Sequence, residues 1–468
     1  MKKRLISLIL AAIVLLSCAF AEESQSEEYL LPYIDLYAVP LGDNAIFEIP
    51  NEWGYQTSDA ADVPPMTSLL TDQNQMVMAM KLPADWEATD ASDALGIQSF
   101  MVEGTALMLG LTTPQSTRLQ EMTINDMPAV LVEMNGQGFD ILWIGDSGDL
   151  YFFLFPNDDD ALVQQMISVA QSLCVFHRKG EQVNPASDFA YTADGGEVTI
   201  TDYIGTSEHV LIPPAIDGLP VTALADKAFY EKTVTTVVVP DSVTEIGDLC
   251  FSGDNYLVSL TLPDELAELP YAALESCFRL MDFNLPKELK KISGSALQYN
   301  YYLTHLTLPS SLTEIEQLNF IGLYGLQSLT IAEDNAAFKL DETNGLLMTA
   351  DGTRLLHCFS DIVPAEEIIL PEGVKIVDPF AFHYDYDVER LVLPEGVETI
   401  GAMAFAMCPN LTEIVIPASV TDIGVMDGLD GRTGIISYKR NVIVTPEGCP
   451  AWNWALETGA TVKSPEEN

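Results

Sequence analysis

The sequence predicts a two-part protein: an α+β domain, with an antiparallel sheet and two helices, followed by a β-solenoid of 23-residue repeats. Two observations predict the solenoid. Prolines recur every 23 residues after short apolar segments, and apolar residues recur at fixed distances from each proline. The residues that precede the repeats have a different pattern of hydrophobic residues, which predicts a separate first domain. We expect a linker over residues 177–188 between the two.

The chain begins with a predicted secretory signal over residues 1–21. Basic residues 2–4 precede an apolar segment that is too short to cross a bilayer, and small residues follow it. The triplet at 19–21 favours cleavage after Ala21, whereas residues 15–18 resemble a bacterial lipobox that would place a lipid on Cys18. Both routes predict an extracellular protein, secreted or held at the cell surface, with a possible lipid anchor and no membrane span.

The charge is strongly acidic, with 69 Asp and Glu against 21 Lys and Arg and a net charge of −48. Such a field repels phosphate backbones and anionic lipid headgroups, so nucleic acid and membrane-surface partners are disfavoured. Residues 22–29 form an acidic leader that we interpret as a solvated segment. A hydrophobic content of 48% excludes general disorder.

Residues 30–176 form the predicted α+β domain. Short hairpin signals separate its later strands, and two amphipathic segments predict helices at Ser92–Leu109 and Asp158–Leu173. The predicted strands are Ala45–Ile49, Met76–Leu82, Arg118–Ile124, Ala129–Met134, Phe139–Ile144 and Leu150–Phe155. The opening Phe47–Trp53, the hairpins and the terminal helix resemble the PsbP-like lipoprotein domains.

Seven prolines define the repeat: Pro240, Pro263, Pro286 and Pro309, and then Pro371, Pro394 and Pro417. Counted from the proline, apolar residues recur at positions 4, 7, 12, 18, 21 and 23. Positions 18–23 read L-x-x-L-x-L, whose alternation predicts a short strand that the next proline ends. One copy cannot bury its apolar face alone, so stacked copies are expected to share a continuous core.

The copy from Pro394 to Ile416 carries the full pattern P-x-x-V-x-x-I-G-x-x-A-F-x-x-C-x-x-L-x-x-I-x-I. This pattern resembles the BspA-type leucine-rich repeat of bacterial surface proteins. The resemblance implies a leucine-rich-repeat solenoid over residues 189–465. It also implies that residues 441–463 form the C-terminal cap with the closing helix of that family.

One gap breaks the period, because Pro309 and Pro371 lie 62 residues apart, which is two periods plus 16 residues. Apolar residues 345–348 and Leu355-Leu356 flank Asp351-Gly352, a pair that favours a tight turn. We therefore expect a hairpin insertion near residues 335–360. Similar hairpins interrupt other members of the family that the repeat resembles.

No residue pattern indicates catalysis or a metal site. The five histidines are dispersed without metal-binding spacing, and neither a nucleophile elbow nor a phosphate-binding loop occurs. The cysteines lack CxxC spacing, and Cys250, Cys277 and Cys408 fall on core positions of the repeat, which predicts buried structural thiols. We expect no cofactor, no metal and no enzymatic activity.

Two columns of outward-facing positions are candidate binding residues. Position 16, just before the strand, aligns aromatic side chains along one edge: Phe278, Tyr301, Tyr324 and Tyr386. Position 20, on the strand face, aligns polar and charged side chains: Asp282, His305, Glu367, Arg390 and Glu413. The alternative for both columns is that stacking and cross-strand contacts only stabilise neighbouring turns.

The leading hypothesis is a non-catalytic extracellular binding or adhesion protein, similar to BspA-like adhesins, whose solenoid engages a protein or glycan. The alternative is a structural envelope component, with the first domain as a docking module and the solenoid as a spacer. A hydrolase in the first domain is the least favoured hypothesis, because no catalytic motif occurs there.

Overall fold

The computed structural model describes residues 36–41, 45–50, 54–58, 66–70, 76–83, 117–124, 127–134, 139–145, 149–156, 160–171, 173–175, 183–360, 362–424 and 441–467. The chain divides into two compact units, residues 1–182 and 183–468. The predicted signal with Cys18, the acidic leader and the predicted helix Ser92–Leu109 lie outside the described residues. None of the described helices is long and apolar enough to span a bilayer.

The first unit is an antiparallel α+β structure. Its elements are β1 Leu36–Pro40, β2 Ala45–Pro50, β3 Gly54–Ser58, β4 Met66–Leu70, β5 Met76–Pro83, β6 Thr117–Ile124, β7 Met127–Met134, β8 Phe139–Gly145, β9 Asp149–Pro156, α1 Asp160–Gln171 and β10 Cys174–Val175. Seven strands form one sheet in the order β3-β4-β5-β9-β8-β7-β6, and β1-β2-β10 form another. The α+β class, the six predicted strands and the second predicted helix are confirmed.

The apolar residues of α1 recur at helical spacing and bury one face of the helix. Leu162, Met166 and Val169 lie in the same core as Phe47 of β2 and Phe153 of β9. The two phenylalanine rings meet edge to face, with centroids 5.3 Å apart. Burial of this face stabilises a 12-residue helix whose stability would be marginal in isolation.

The second unit is a solenoid of short strands. Its first strands are β11 Phe189–Asp194, β12 Glu197–Tyr203, β13 His209–Leu211, β14 Ala215–Ile216, β15 Leu219–Leu224, β16 Thr236–Val238, β17 Glu245–Ile246, β18 Ser259–Thr261, β19 Glu268–Leu269, β20 Asp282–Phe283, β21 Lys291–Ile292, β22 His305–Leu308, β23 Glu314–Ile315 and β24 Ser328–Ile331. The following elements are β25 Phe338–Asp341, β26 Leu346–Thr349, β27 Arg354–Cys358, β28 Glu367–Ile369, β29 Ile376–Val377, β30 Arg390–Val392, β31 Thr399–Ile400, β32 Glu413–Val415, β33 Asp422–Ile423, β34 Val442–Val444, α2 Pro450–Thr458 and β35 Thr461–Lys463.

The strand pairing confirms the 23-residue period. Thr236 pairs with Ser259, which pairs with Asp282, in parallel register. These strands form one face of the solenoid, which we call the strand face, in three sheets: β13-β16-β18-β20, β22-β24 and β28-β30-β32-β34-β35. The opposite face carries β11-β12-β15-β14 with β17, then β19-β21-β23, then β25-β26-β27-β29-β31-β33. The predicted apolar columns lie between the two faces.

Each turn also contains two residues in the left-handed backbone region. Position 10 has positive φ in six copies: Leu249, Ala272, Ser295, Leu318, Phe380 and Met403. Position 14 has it in six copies as well: Gly253, Ser276, Tyr299, Gly322, Tyr384 and Met407. Most of these residues have a Cβ and are strained in this region, so inter-turn hydrogen bonds and packing must hold them there. These left-handed backbone positions were not predicted from the sequence.

The insertion is a three-stranded antiparallel meander, β25-β26-β27, rather than a hairpin alone. The predicted hairpin corresponds to β26 and β27, with Asp351-Gly352 in its turn. Side chains of these strands alternate between two apolar cores. Leu347 and Leu356 belong to the core of residues 189–329, whereas Leu346 and Leu355 belong to the core of residues 368–455. The meander therefore separates the solenoid core into two parts.

Both ends of the solenoid are closed by specific contacts. At the start, the Asn184 side chain accepts a hydrogen bond from the Leu211 N–H at 2.8 Å, so residues 183–188, which the sequence assigned to the linker, belong to the second unit. At the end, the Cys449 side chain caps α2 by accepting from the Trp452 N–H, and Gly459 ends the helix with a φ of 76°. The closing helix thus lies where the resemblance implied.

Candidate binding surface

The aromatic residues of position 16 form a stacked column along one edge of the solenoid. Phe278 and Tyr301 stack with centroids 4.8 Å apart and ring planes 3° apart, and Tyr301 and Tyr324 stack at 5.6 Å and 13°. Tyr386 does not join this stack directly. Its ring stacks on Tyr384 at 6.5 Å, and Tyr384 meets Tyr324 edge to face at 5.9 Å.

Position 14 extends the column into a two-layer group. Tyr299 contacts Tyr301 edge to face at 6.2 Å, and Tyr384 lies between Tyr324 and Tyr386. We call Tyr299, Tyr301, Tyr324, Tyr384 and Tyr386 the tyrosine cluster. Tyr299 and Tyr384 both have left-handed backbone conformations, which turn their side chains toward position 16 of the same copies.

Two glycines make room for this cluster. Gly322 has a φ of 79°, and a Cβ there would lie 2.6 Å from Cδ1 of Tyr299. A Cβ on Gly325 would lie 2.4 Å from the backbone oxygen of Tyr301. Neither position accepts a larger residue without displacing a tyrosine, so these glycines are part of the site. Neither glycine was predicted as a site residue from the sequence, although both lie within two residues of Tyr324.

Burial raises the pKa of three phenols of the cluster. Desolvation is the main cause that raises the pKa of Tyr299, Tyr301 and Tyr324, and neighbouring tyrosines raise each of them further. The hydroxyl groups therefore both donate and accept hydrogen bonds at any physiological pH. Tyr386 is 36% exposed, and Tyr301 and Tyr324 are half-buried. Stacked neighbours cover both ring faces of Tyr301 and one ring face each of Tyr384 and Tyr386.

The charged residues of position 20 pair with one another instead. Arg390 lies between Glu367 and Glu413: it contacts the Glu367 carboxylate, and its Nε donates to Oε1 of Glu413 at 2.8 Å. Lys463 Nζ lies 2.9 Å from the second oxygen of Glu413. We call these four residues the charged row. The pKa of Glu413 is lowered by its bonds to Arg390 and Lys463.

The other predicted position 20 residues also have partners within the sheet. Asp282 accepts a hydrogen bond from the Ser259 hydroxyl at 2.6 Å, and the His305 ring contacts the Thr304 hydroxyl at 2.8 Å. His305 is exposed. Asp282, Glu367, Arg390 and Glu413 therefore contact other side chains of the strand face.

Position 15, below the aromatic column, joins three turns to the turn before them. The Cys277 thiol donates to the Phe251 carbonyl at 3.1 Å, and Cys408 donates to Phe382 at 2.8 Å. Asn300 donates to Leu274 in the same way at 3.1 Å. These contacts and the burial of Cys250, Cys277, Cys358 and Cys408 confirm the prediction of structural thiols.

Two copies carry aspartate at position 15, which lacks a proton to donate when ionised. Oδ1 of Asp254 accepts from the Tyr256 N–H, and Oδ1 of Asp385 accepts from the Val388 N–H. Oδ2 of each is buried with no hydrogen-bond partner among the described residues. Burial raises the pKa of Asp254 to about 8 and that of Asp385 to about 6.

Two clefts lie next to the cluster, where residues 309–331 meet residues 354–386. We call this boundary the seam. His357 lines both clefts, together with Phe320, and His383 lines the one that also contains Tyr324 and Tyr384. Burial lowers the pKa of His357 to about 3 and that of His383 to about 4, so both imidazoles are neutral near pH 7. Within the described part of the chain, no group of three or more His, Cys, Asp or Glu side chains is placed to hold a metal ion.

Sequence comparison agrees with this architecture. Residues 222–341 and 356–426 match the family described as BspA type leucine rich repeat region, in 6 copies. The second unit is therefore a leucine-rich-repeat solenoid of the BspA type, and the resemblance noted in the sequence is confirmed. Among curated proteins, none matches the chain.

Three solved structures illustrate the similarity. A leucine rich repeat protein of T. pallidum is 27% identical over 49% of this chain and 91% of its own, with a TM-score of 0.34. A leucine rich cell surface protein of Faecalibacterium prausnitzii is 19% identical over 61% and 96%, with a TM-score of 0.39. The cyanobacterial PsbP of Synechocystis is 12% identical over 33% and 100%, with a TM-score of 0.25, and is a weak neighbour.

Proposed function

We propose that this chain is a non-catalytic extracellular binding protein whose solenoid engages a partner through the tyrosine cluster. The observation that carries the proposal is the convergence of five tyrosines from three turns on one edge. Tyrosine offers a large, rigid, amphipathic contact area at a low entropic cost, and it is enriched at the centres of protein interfaces. The match to BspA-type repeats supports a binding role of this kind.

The ring geometry favours a polypeptide over a sugar as the partner. A sugar that stacks on an aromatic residue needs an open ring face, yet Tyr301 is covered by Phe278 on one side and Tyr324 on the other. Tyr384 and Tyr386 likewise cover each other. We infer that the partly exposed Tyr301, Tyr324 and Tyr386 offer ring edges and hydroxyl groups, which suit backbone carbonyls, amides and aromatic side chains.

The charged row is the weaker candidate for the binding site. Its carboxylates already contact Arg390 and Lys463, so a partner would have to replace these contacts in order to bind. We therefore assign Glu367, Arg390 and Glu413 to stabilisation of the strand face. Adhesion to a cell or matrix is the finer form of the proposal, and a location outside the cell agrees with the predicted signal.

The test is an array of extracellular-matrix proteins, mucins and glycans, probed with the chain from residue 22 onward at two salt concentrations. A saturable protein hit should weaken at least about tenfold when Tyr301, Tyr324 and Tyr386 are all replaced by Phe, because the rings stay but the hydroxyl groups are lost. The matched control is Tyr271→Phe, since Tyr271 is 53% exposed and outside the cluster.

The outcomes separate the hypotheses. A hit that the triple variant binds equally well would remove the tyrosine cluster from the proposal, and a glycan hit would contradict the polypeptide preference. An empty array would favour the structural envelope component, in which the first unit docks and the solenoid acts as a spacer.

A further inference from the structure

The seam is where both faces of the solenoid are interrupted together. Among the described residues, β24 does not pair with β28, and β23 does not pair with β27. Elsewhere only one face is interrupted: the gap between β17 and β19 is bridged by β16 and β18 on the strand face. The gap between β20 and β22 is bridged in the same way by β19, β21 and β23. The seam therefore lacks the strand pairing that joins the other turns.

Side chains provide much of the contact across the seam. Phe320 from the upstream turn meets Phe359 edge to face at 5.3 Å and lies 5.6 Å from the His357 ring. Tyr324 meets Tyr384 across the same boundary. His383 packs edge to face on Tyr384 at 4.4 Å. The His357 and His383 rings therefore line a cleft together with Tyr324 and Tyr384, whose contact joins the two parts of the tyrosine cluster.

Neither imidazole has an available counter-ion if it becomes protonated. The titratable side chains that line the two clefts with them are Glu316, Tyr324, Cys358, Asp378, Tyr384 and Asp385. Glu316 is paired with Lys291 at 2.8 Å, and Asp378 is paired with Arg354 at 2.6 Å. The remaining carboxyl group, Asp385, has a pKa raised to about 6 by burial, so it becomes neutral in acid before the imidazoles are charged.

We propose that protonation of His357 and His383 opens the solenoid at the seam, separates Tyr324 from Tyr384, and thereby releases the partner in acid. The release rests on the function proposed above, whereas the opening does not. Opening exposes the imidazoles to water, where each regains its ordinary affinity for a proton. A buried imidazolium without a counter-ion favours the open state.

The direction of the pH effect follows from linkage. Both histidines have folded pKa values below the usual 6.5, so they contribute stability above pH 6.5 that is lost as the pH falls toward 4 and 3. Asp385 and Asp378 act in the opposite sense, because burial raises the pKa of both carboxyl groups and so favours the closed state as the pH falls. The pKa values of His357 and His383 fall farther from their usual value than that of Asp385 rises, and Glu316, whose pKa Lys291 lowers, loses stability in acid together with them. The net effect of acid is therefore to weaken the seam.

The cysteines provide built-in reporters of the opening. Cys358 lines the cleft at the seam, while Cys277 and Cys408 are buried in the upstream and downstream parts of the core. The chain is exposed to a pyridyl disulfide reagent that reacts with thiols in acid, and each cysteine is followed by mass spectrometry. We expect labelling of Cys358 to be at least about tenfold faster near pH 4 than near pH 7, with Cys277 and Cys408 unchanged.

A double variant connects the opening to the histidines. His357→Phe with His383→Phe keeps aromatic rings in the clefts but removes the titrating groups, and His305→Phe on the exposed strand face is the matched control. The double variant should resist Cys358 labelling to a pH lower by about one unit, because the opening loses its proton linkage. Equal labelling of Cys358 at both pH values would overturn the proposal. So would parallel acceleration at all three cysteines, or an unshifted response of a folded double variant.

The release is measured separately on any matrix protein that the array retains at neutral pH. Dissociation should be faster by at least about tenfold near pH 4.5, and the double variant should remain bound. Retention of the partner while Cys358 is exposed would overturn the release but not the opening. If no protein binds at neutral pH, the proposed function and the release both fail, and the thiol measurement still decides the opening.

Discussion

Asp254 and Asn300 occupy the same position in two turns of the solenoid, and only Asn300 donates a hydrogen bond to the preceding turn. Asn300 Nδ2 reaches the carbonyl groups of Leu274 at 3.1 Å and Leu297 at 2.7 Å. Each of the two side chains has one buried oxygen without a hydrogen-bond partner among the described residues, but only Asp254 is a carboxyl group, and its pKa is raised to about 8. Repeats with the same backbone conformation therefore carry different polar groups, a carboxyl group or an amide, at the same buried position.

This difference predicts a stabilising substitution. Asp254→Asn should raise the free energy of unfolding at pH 7, because it supplies an amide donor and removes a buried carboxyl group. The folded pKa of Asp254 lies above the unfolded value, so this group lowers the stability of the natural chain as the pH rises from about 4 to about 8, by at most about 1.4 kcal/mol per pH unit. His357 and His383 act in the opposite sense in the acidic part of this range.

Urea unfolding between pH 4 and pH 8 measures both effects, and the stability of the variant relative to the natural chain should increase as the pH rises. The reverse change, Asn300→Asp, is the matched control, and its stability relative to the natural chain should decrease as the pH rises. A constant or falling difference in Asp254→Asn would contradict the assignment.

Gly253 and Gly322 form a second matched pair, since both lie at position 14 with φ values of 74° and 79°. A Cβ on Gly253 would meet Cγ of Glu231, a flexible side chain, at 2.9 Å, whereas one on Gly322 would meet the Tyr299 ring and backbone. Gly253→Ala should cost about 1–2 kcal/mol from backbone strain, and Gly322→Ala should cost more and shift the tyrosine cluster.

Denaturant unfolding with near-ultraviolet circular dichroism separates the two contributions, because the tyrosine signal should change only in Gly322→Ala. Equal stability losses and unchanged tyrosine spectra in both variants would mean that Gly322 is not needed to seat Tyr299.

The charged row should contribute little stability. Arg390 is 40% exposed at its side chain, so solvent screens its contacts with Glu367 and Glu413. Arg390→Gln should lower the free energy of unfolding by less than about 1 kcal/mol, and the difference should disappear in about 1 M salt. Thermal unfolding at low and high salt measures this loss. If Arg390→Gln binds a partner in the array more weakly than the natural chain does, the charged row is part of the binding surface.

Leu346 and Leu347 test the role of the meander, because these neighbours are both fully buried but belong to different cores. Either change to Ala should cost about 2–5 kcal/mol. Hydrogen exchange should locate the loss in β22 and β24 for Leu347→Ala, and in β28 and β30 for Leu346→Ala. If both variants loosen the same strands, the two cores behave as one cooperative unit.

The solenoid was predictable because a fixed period repeats the same burial pattern many times along the sequence. Leu257 and Leu260 occupy the same repeat positions as Leu411 and Ile414, and the strands lie where that apolar pattern alternates. The meander was only partly predictable. In Leu346-Leu347-Met348 successive side chains are buried on both faces, so the alternation that indicates a half-buried strand is absent.

The aromatic column was predictable from position 16, and Tyr299 and Tyr384 lie near it in the sequence, but their contacts with the column were not predictable. Tyr299 and Tyr384 join it through left-handed backbone conformations that residues with a Cβ rarely adopt, so propensity gives no warning of them. The charged row carried a readable signal, since Glu367, Arg390 and Glu413 alternate in charge at the repeat spacing. Stacked turns make such residues neighbours, and pairing follows from the period.

The partition made by the meander has a consequence for how such a chain can change length. Because β26 and β27 present one set of side chains to each core, whole turns can be gained or lost on one side without new packing on the other. Adding a turn between Pro240 and Pro286 would lengthen the molecule while leaving Tyr324 opposite Tyr384. The number of turns and the composition of the tyrosine cluster are therefore independently adjustable.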